Sequence, residues 1–423
     1  MTPSAIVQEC PQCSASISAD PRFVVWCRDC EWNIRPDNGE RQRPQGMLDR
    51  FRSRLARRYV ADLHRRVLDS GPGLPSRDPA RIASYALATI VHLFAVSLTL
   101  AGVWLLASTW PSPFGIALGI AVLAFAYLVR PRLGRVRKDA LTLTRQEAPT
   151  LYDLLDRVAG EIGAPPVDIV VVDGDLNACF ATVGLRRRHM LTIGLPLWLI
   201  LDRAERVALL GHELAHSTNG DSRHGLYVGS ALNTLYELRQ VLAPIVLDGG
   251  LIEIAATFLL NVVMWLIRVP VTGTIMLLEL MTYRSSQLAE YAADERAAQV
   301  ASPVAAAGLM DKCITRFSAA GRHVVSSAHR TGDLWEGLRE YMDGFPELEE
   351  ERLRRLAPLE AVRVDAFHPP THLRMAFAVA LPYGAAEVTV TEGEMERIQG
   401  ELDTAGDRIA REITDQARAA LYQ

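Results

Sequence analysis

Two adjoining runs of uncharged residues constrain this chain more than any other feature. Residues 84–108 carry no charged side chain, and neither do residues 111–129. Each run is long enough to cross about 30 Å of hydrocarbon as a helix. Backbone inside a bilayer must satisfy its own hydrogen bonds, so a helical hairpin is the form such runs take. The connector Thr109-Trp110-Pro111-Ser112-Pro113 has turn chemistry, and its Trp suits a membrane interface. Two buried core helices are the competing reading, and the lengths argue against it. The flanks give an orientation. Residues 35–81 hold twelve arginines against six acids, and Arg130, Arg132, Arg135, Arg137 and Lys138 follow the second run. The positive-inside rule then puts both flanks in the cytoplasm. An arginine-rich run can also meet nucleic acid, but its acids and its place beside a membrane span favour topology or anionic lipid. The net charge of -4 gives no reason to expect nucleic acid as a partner.

The rest of the composition agrees with apolar segments interrupting polar domains. Of 423 residues, 49% are hydrophobic and 22% charged. That length allows two or three domains. Residues 1–40 contain no apolar run of the signal-peptide kind, so the N-terminus is expected to stay in the cytosol. A second apolar region covers 226–283. Asp248-Gly249-Gly250 breaks it, Pro270 and Gly273 interrupt it, and Glu237, Arg239, Glu253 and Arg268 weaken it. A membrane hairpin turning near Asp248 is the favoured reading, with a partly inserted hairpin as the alternative. Between the two regions, 167–172, 178–183 and 189–193 read as strands, whereas 141–162 and 284–343 read as helical.

His212-Glu213-Leu214-Ala215-His216 carries the chemistry. Residues four apart share one helix face, so both imidazoles can grip one metal ion, with Glu213 beside it to take a proton from bound water. Asp202 and Glu205 form a capping-box signature ahead of the motif, and Asn219-Gly220 offers a stop, so a helix is expected here. Catalytic zinc takes three protein ligands and leaves one position for water. For the third ligand the best candidate is Glu290, with Asp294 four residues on as acceptor for a histidine N–H. A solvated acidic helix face explains the same two residues, and the pattern alone does not separate the readings.

Cys10-Pro-Gln-Cys13 and Cys27-Arg-Asp-Cys30 are two CxxC pairs separated by thirteen residues. Four thiolates so spaced suit a closed structural zinc site. Two disulfides compete, but a cytosolic location is reducing. Trp26 and Trp32 are expected to cover this knuckle, and Cys179 and Cys313 to be small buried hydrophobes.

Four ordered motifs resemble the membrane-embedded gluzincin metallopeptidases of the HtpX-like and CAAX prenyl protease family. They are Asn177-Ala-Cys-Phe-Ala181; His212 to His216 with Asn219-Gly-Asp221; Glu290-Tyr-Ala-Ala-Asp294; and His368-Pro-Pro-Thr-His-Leu-Arg374. The resemblance covers about residues 140–375. It implies a mostly α fold with a small β-sheet, and an integral membrane zinc peptidase. His212, His216 and Glu290 would be zinc ligands, Glu213 the general base and Asp294 the supporting acid. His368 and Arg374 would contact substrate or the developing oxyanion, and His372 is a weaker addition. Asn177, Ala178 and Phe180 would lie on an edge strand that pairs with an extended substrate. Three features depart from the family pattern. The cysteine quartet is an added module, the two-plus-two membrane plan gives no support to a prenylated substrate, and Cys179 interrupts the usual Asn-Ala-Phe-Ala run.

The expected organisation follows. A four-cysteine zinc ribbon (1–34) precedes a basic cytoplasmic linker or helical segment (35–83) and a transmembrane hairpin (84–130). The first half of the peptidase domain (131–225) precedes a second membrane-associated hairpin (226–283). The second half carries the third ligand (284–386), and a charged C-terminal helix (387–423), solvated or partner-bound, ends the chain. The expected protein is a multi-pass endopeptidase of the cell membrane with its N-terminus and catalytic domain in the cytoplasm. It would hold one catalytic and one structural zinc, cut membrane or unfolded polypeptides in quality control, and contact the lipid bilayer. A catalytically silent, membrane-anchored zinc-ribbon adaptor is the alternative.

Overall fold

A computed structural model describes residues 6–36, 47–73, 79–131, 134–184, 186–218, 221–245, 251–329, 332–359 and 368–421. The protein is mostly helical, with one two-stranded and one four-stranded sheet among the described residues. β1 (Ile6–Glu9) and β2 (Ser16–Ala19) form an antiparallel hairpin at the N-terminus. α1 (Met47–Ser70) follows and sets Leu63 and Val67 against Leu288, Tyr291 and Phe377.

α2 (Pro79–Ser108) and α3 (Pro113–Leu128) make a tight helical pair. Ser112 caps α3 by accepting from the Gly115 N–H at 3.4 Å, and Pro113 opens the helix without wasting a donor. Small residues let the two backbones meet. A Cβ on Gly102 or Gly119 would lie 2.7 Å from the side chain of Leu123 or Leu106 respectively, so a larger residue at either position would force the pair to shift. The outward faces are bare: Ile90, Leu93, Phe94, Leu100 and Trp104 of α2 are all exposed.

The next segment builds the larger sheet. β3 (Leu141–Leu143), β4 (Ile169–Asp173), β5 (Ala178–Val183) and β6 (Arg188–Gly194) lie in the order β3-β4-β6-β5. β4 and β6 run parallel, and the other pairs are antiparallel. β4 is Ile-Val-Val-Val-Asp and buried on both faces, as a central strand should be. β5 is an edge strand. Its register with β6 runs without a bulge from Ala178–Ile193 to Val183–Arg188, so Cys179 is accommodated regularly. α4 (Pro149–Ile162) packs on this sheet and ends at Gly163, whose φ of 68° is the left-handed conformation of a helix C-cap. The helix expected over 141–162 is thus a strand and then a helix. Thr144 and Glu147 bond to each other across the intervening turn, and Pro149 starts α4.

α5 (Leu195–Ile200) and α6 (Arg203–Ala215) lead to α7 (Asp221–Val241) and α8 (Leu251–Ala301). α8 is 51 residues long, roughly 75 Å at 1.5 Å per residue. It runs through Pro270 and Gly273 without a break, and through residue 283, where a domain boundary was expected. Pro270 has no N–H for the carbonyl four residues earlier, and such a gap is tolerated in an apolar helix packed against neighbours. The expected turn at Asp248 and the helix stop at Asn219-Gly220 lie outside the described residues. Among the described residues two helices, α2 and the stretch of α8 from Thr257, are long and apolar enough to cross a membrane, and α3 is a shorter apolar helix.

α9 (Pro303–Thr315), α10 (Phe317–Ser327), α11 (Leu334–Asp343), α12 (Glu347–Leu356), α13 (Thr371–Ala380) and α14 (Glu392–Leu421) complete the fold. The main core joins α4, the sheet, α6, the end of α8, α9 and α14. A second core lies between α2, α7 and the earlier part of α8. Among the described residues, α8 is therefore the one helix that enters both. α14 corrects an expectation: it is not free or solvated. Met395, Ile398, Leu402, Ala405 and Ile409 are buried in the main core, spaced three and four apart on one face.

Candidate active site and second metal centre

α6 begins with the expected capping box, in which Glu205 accepts from the Asp202 N–H at 2.8 Å. One helical face then presents His212 and His216 to the end of α8. Their ring centroids are 5.0 Å apart and nearly perpendicular. Glu290 lies between them. His212 Nε2 is 3.6 Å from Glu290 Oε2, and His216 Nε2 is 3.7 Å from Glu290 Oε1. Zinc bonds of 2.0–2.1 Å in a tetrahedron put ligand atoms about 3.4 Å apart, so this donor set fits that ion. Glu290 Oε2 is also a buried acceptor with no hydrogen bond, although the Arg374 guanidinium lies 2.9 Å away as an ion pair. Glu290 is buried, not part of a solvated face.

The supporting residues form a second layer. His212 Nδ1 is 3.0 Å from Asp294 Oδ1, which leaves Nε2 for the metal side. Arg374, on α13, donates from Nε and Nη2 to Asp294 at 2.7 and 2.6 Å. Its Nη1 faces Glu290, so every guanidinium nitrogen is spent on these two acids. His368 Nδ1 lies 2.9 Å from Glu290 Oε1, with its ring largely exposed. Burial would raise the pKa of Glu290, but Arg374 and His368 outweigh it and hold the carboxylate well below its usual range. Asp294 is lowered in the same way, with burial overcome by Arg374 and His212. Burial, with His212 nearby, lowers His216 and keeps it a neutral donor. For His212 burial also acts downward, but the bond to Asp294 and the two carboxylates win and raise it.

Glu213 is turned towards the sheet, where its Oε2 accepts from the Phe180 backbone N–H at 3.2 Å. The expected edge strand thus meets the expected base. Phe180 stacks on His189, with centroids 5.8 Å apart. Asn177 instead uses its carbonyl to accept from Gly194 N–H at 2.8 Å. That approach is so close that a Cβ on Gly194 would sit 1.9 Å from the Asp175 carbonyl oxygen. Cys179 points outward and is exposed, contrary to the expectation of a buried hydrophobe, because alternate residues of a strand face opposite ways. One contact had no sequence signal. His64 Nδ1 lies 3.2 Å from the hydroxyl of Tyr291, the residue after Glu290, across 227 positions of chain.

A family model for peptidase family M48 matches residues 145–380, which is more than half of the chain. This chain belongs to peptidase family M48. Proteins named Protease HtpX homolog are among its relatives. One from Thermodesulfovibrio yellowstonii is 24% identical over 188 residues, covering 44% of this chain and 66% of its own length. One from Pyrobaculum calidifontis is 27% identical over 241 residues, covering 55% and 68%. A Protease HtpX from Xanthomonas oryzae pv. oryzae is 34% identical over 123 residues, covering 28% and 40%. The chain thus spans about two thirds, or less, of these curated relatives. No solved structure matches it. The M48 match begins after the cysteine quartet and after α3, so neither is part of what the family model describes.

That quartet is a second candidate centre. Cys10, Cys13, Cys27 and Cys30 bring their sulfurs together, with Cys10–Cys30 at 3.6 Å and Cys13–Cys27 at 3.5 Å. These separations are far beyond a disulfide bond and close to the roughly 3.8 Å between sulfurs around tetrahedral zinc. The two halves fold alike. Ser14 and Glu31 directly follow the second cysteine of each pair, have φ of 62° and 59°, and donate to the carbonyls of Cys10 and Cys27. Without a cation the thiols compete for ionisation. Burial opposes it at Cys10, but the backbone N–H groups of Gln12 and Cys13 and the Cys30 thiol bring that pKa down to about 7. At Cys30 burial and the neighbouring thiols push it up to about 12. Trp26 is fully buried and bonds to the Leu348 carbonyl at 3.2 Å, so it covers the module by fixing it to α12.

Proposed function

We propose that this protein is a membrane-bound zinc endopeptidase with its active site on the cytoplasmic side. The observation that carries the reading is the convergence of His212, His216 and Glu290 beside Glu213, drawn from two helices and fitted to one ion. Bound zinc supplies Lewis acidity and makes a water acidic enough to lose its proton near neutral pH. The remaining work belongs to the chain. Glu213 accepts the proton of the attacking water and returns it to the leaving amine. Asp294 and Arg374 hold His212 and Glu290 in place, and exposed His368 is within reach of a polarised carbonyl. An extended substrate lies along β5, where the Phe180 N–H beside Glu213 marks the reacting register.

The membrane reading rests on physical grounds. Large apolar side chains stand exposed along α2, α3 and α8 from Phe258 to Leu280, a run of outward apolar surface that soluble monomers rarely carry. α7 and α8 together return the chain to the side it left, as a site shared by α6 and the end of α8 requires. The arginine-rich flanks make that side cytoplasmic. Two zinc ions per chain are proposed, one in each centre. Polypeptides are the substrates, membrane or unfolded proteins among them, in keeping with a quality-control role.

Glu213→Gln tests the reading directly. The variant should keep its zinc and its fold but lose cleavage of casein by about 10²–10⁴-fold. Undiminished cleavage would sink the assignment. No cleavage by the zinc-loaded wild-type protein would favour the silent adaptor instead.

A further inference from the structure

The cysteine module and the peptidase domain enclose a cleft that neither the fold nor the proposed chemistry uses. Its volume is about 570 Å³, within the range of ordinary ligand sites. One wall is β2 and the other is the start of α12 at Pro346, Glu347 and Leu348. Trp26 and Ile17 form a closed floor, both nearly inaccessible. The walls are held still. Arg352 donates to the Ile34 carbonyl at 2.8 Å and is itself paired with Glu349 inside the interface. Arg355 donates to the Arg28 carbonyl at 2.7 Å, and Phe23 meets Phe345 edge-on at 4.9 Å. α12 is in turn bonded to the helices behind the active site, through Arg316–Glu350 and Arg354–Asp311.

Two properties of this cleft point to one class of occupant. β2 belongs to a two-stranded sheet and pairs only with β1 among the described residues. Ser16, Ile17 and Ser18 line the cleft, and beyond its pairing with β1 the strand makes no backbone hydrogen bond there among the described residues, which leaves an edge that another strand can join. The charge on the walls is acidic. Asp20 is neutralised by Arg22, and Arg28 by Glu351. Asp29, on the turn between Cys27 and Cys30, and Glu347, on α12, remain; both line the cleft and are exposed, with no ion pair among the described residues. A nucleic acid or lipid phosphate would be repelled, and an apolar helix would find a closed floor.

We infer that this cleft binds an extended, cationic stretch of polypeptide as a strand added to the free edge of β2, with Asp29 and Glu347 flanking its basic side chains. The strand offers four residues, enough to hold a segment but not to cut it. That the segment belongs to a substrate rests on the peptidase reading; that the cleft binds it does not. The module then tethers part of a chain while another part lies in the active site, which raises its effective concentration there.

Binding is measured on the full zinc-loaded chain in detergent carrying Glu213→Gln. The probes are fluorescein-labelled ten-residue peptides of alternating lysine and threonine, or glutamate and threonine. The lysine peptide should bind roughly ten-fold more tightly than the glutamate peptide. Asp29→Lys with Glu347→Lys should reverse that order, and the milder Asp29→Asn with Glu347→Gln should abolish it, both with unchanged zinc content. Methylating alternate backbone nitrogens of the lysine peptide should weaken binding by a further ten-fold or so in one of the two phases, since one face of a strand pairs with β2. Equal binding of the two peptides, or indifference to both double variants, would overturn the proposal. Indifference to methylation in both phases would overturn the strand pairing. Absence of casein cleavage by the chain with Glu213 intact would count against the peptidase reading alone.

Discussion

The two candidate metal centres of this molecule are built in opposite ways. The cysteine centre draws its four donors from 21 residues, Cys10 to Cys30, each pair on one tight turn. Little apolar material surrounds it beyond Ile17, Val25 and Trp32, so the ion itself would supply much of the folding energy. The histidine centre draws on α6 and α8, whose nearest donors are 74 residues apart (290 − 216), with support from α13. Its geometry is set by the main core before any ion arrives. One centre depends on its metal for shape; the other depends on its fold. The difference predicts how each should fail.

The largest effect should come from Glu290→Ala. One of two zinc ions should be lost, and casein cleavage should fall to background, while the thermal midpoint changes less than activity does. Zinc counted by atomic absorption checks the first, and turnover the second. Loss of both ions would mean that the centres are not independent. Arg374→Ala should act on stability as well. It leaves Asp294 and Glu290 buried without their cation, and breaking such a pair costs about 3–5 kcal/mol. The thermal midpoint of the detergent-solubilised protein should drop accordingly, with the cysteine-bound zinc retained. A midpoint within a degree or two of wild type would show that Arg374 does not hold these acids.

Cys10→Ser should do the reverse. The module loses its zinc and its shape, yet among the described residues it reaches the main core only through Phe23, which packs on Phe345 at the rim. Cleavage of a short neutral peptide should be unchanged and the principal unfolding transition nearly so. Collapse of both would make the cysteine module a structural part of the peptidase, and the contrast between the centres would fall.

The same contrast governs what is legible in the sequence. Short-range patterns are readable: the CxxC pairs, the capping box at Asp202 and Glu205, and the His212–His216 face all follow from spacing within a turn or two. Three strands of the larger sheet are nearly so, because β4 is a continuous apolar run bounded by Asp173-Gly174-Asp175 and β5 and β6 flank a glycine. Glu290 is not legible from spacing alone, since an acid at helical spacing looks the same on a wet face. Its partner Arg374 is 84 residues further on (374 − 290) and only the fold makes them neighbours. α14 misleads because its charge dominates its composition. The five apolar residues from Met395 to Ile409 fall on one stripe, and periodicity carries more weight there than content. Pro270 looks like a break, yet a helix packed by neighbours absorbs it.

The smallest expected effect concerns the contact between α1 and the helix bearing Glu290. Burial lowers the pKa of His64, which meets the Tyr291 hydroxyl, and burial with the nearby His64 charge also lowers that of His372 on α13. Both are less protonated when folded than when unfolded. As pH falls through the ordinary histidine range, the unfolded or undocked form takes up protons first, so docking of α1 should weaken below about pH 6.5 and be complete above it. Amide exchange over residues 60–70 should therefore quicken between pH 7 and pH 5.5 relative to α14, after correction for intrinsic rates. His64→Gln with His372→Gln should remove that dependence. Unaltered dependence in the double variant would place the titrating groups elsewhere. α14 carries no histidine and is buried in the main core, which makes it the internal reference for this interval.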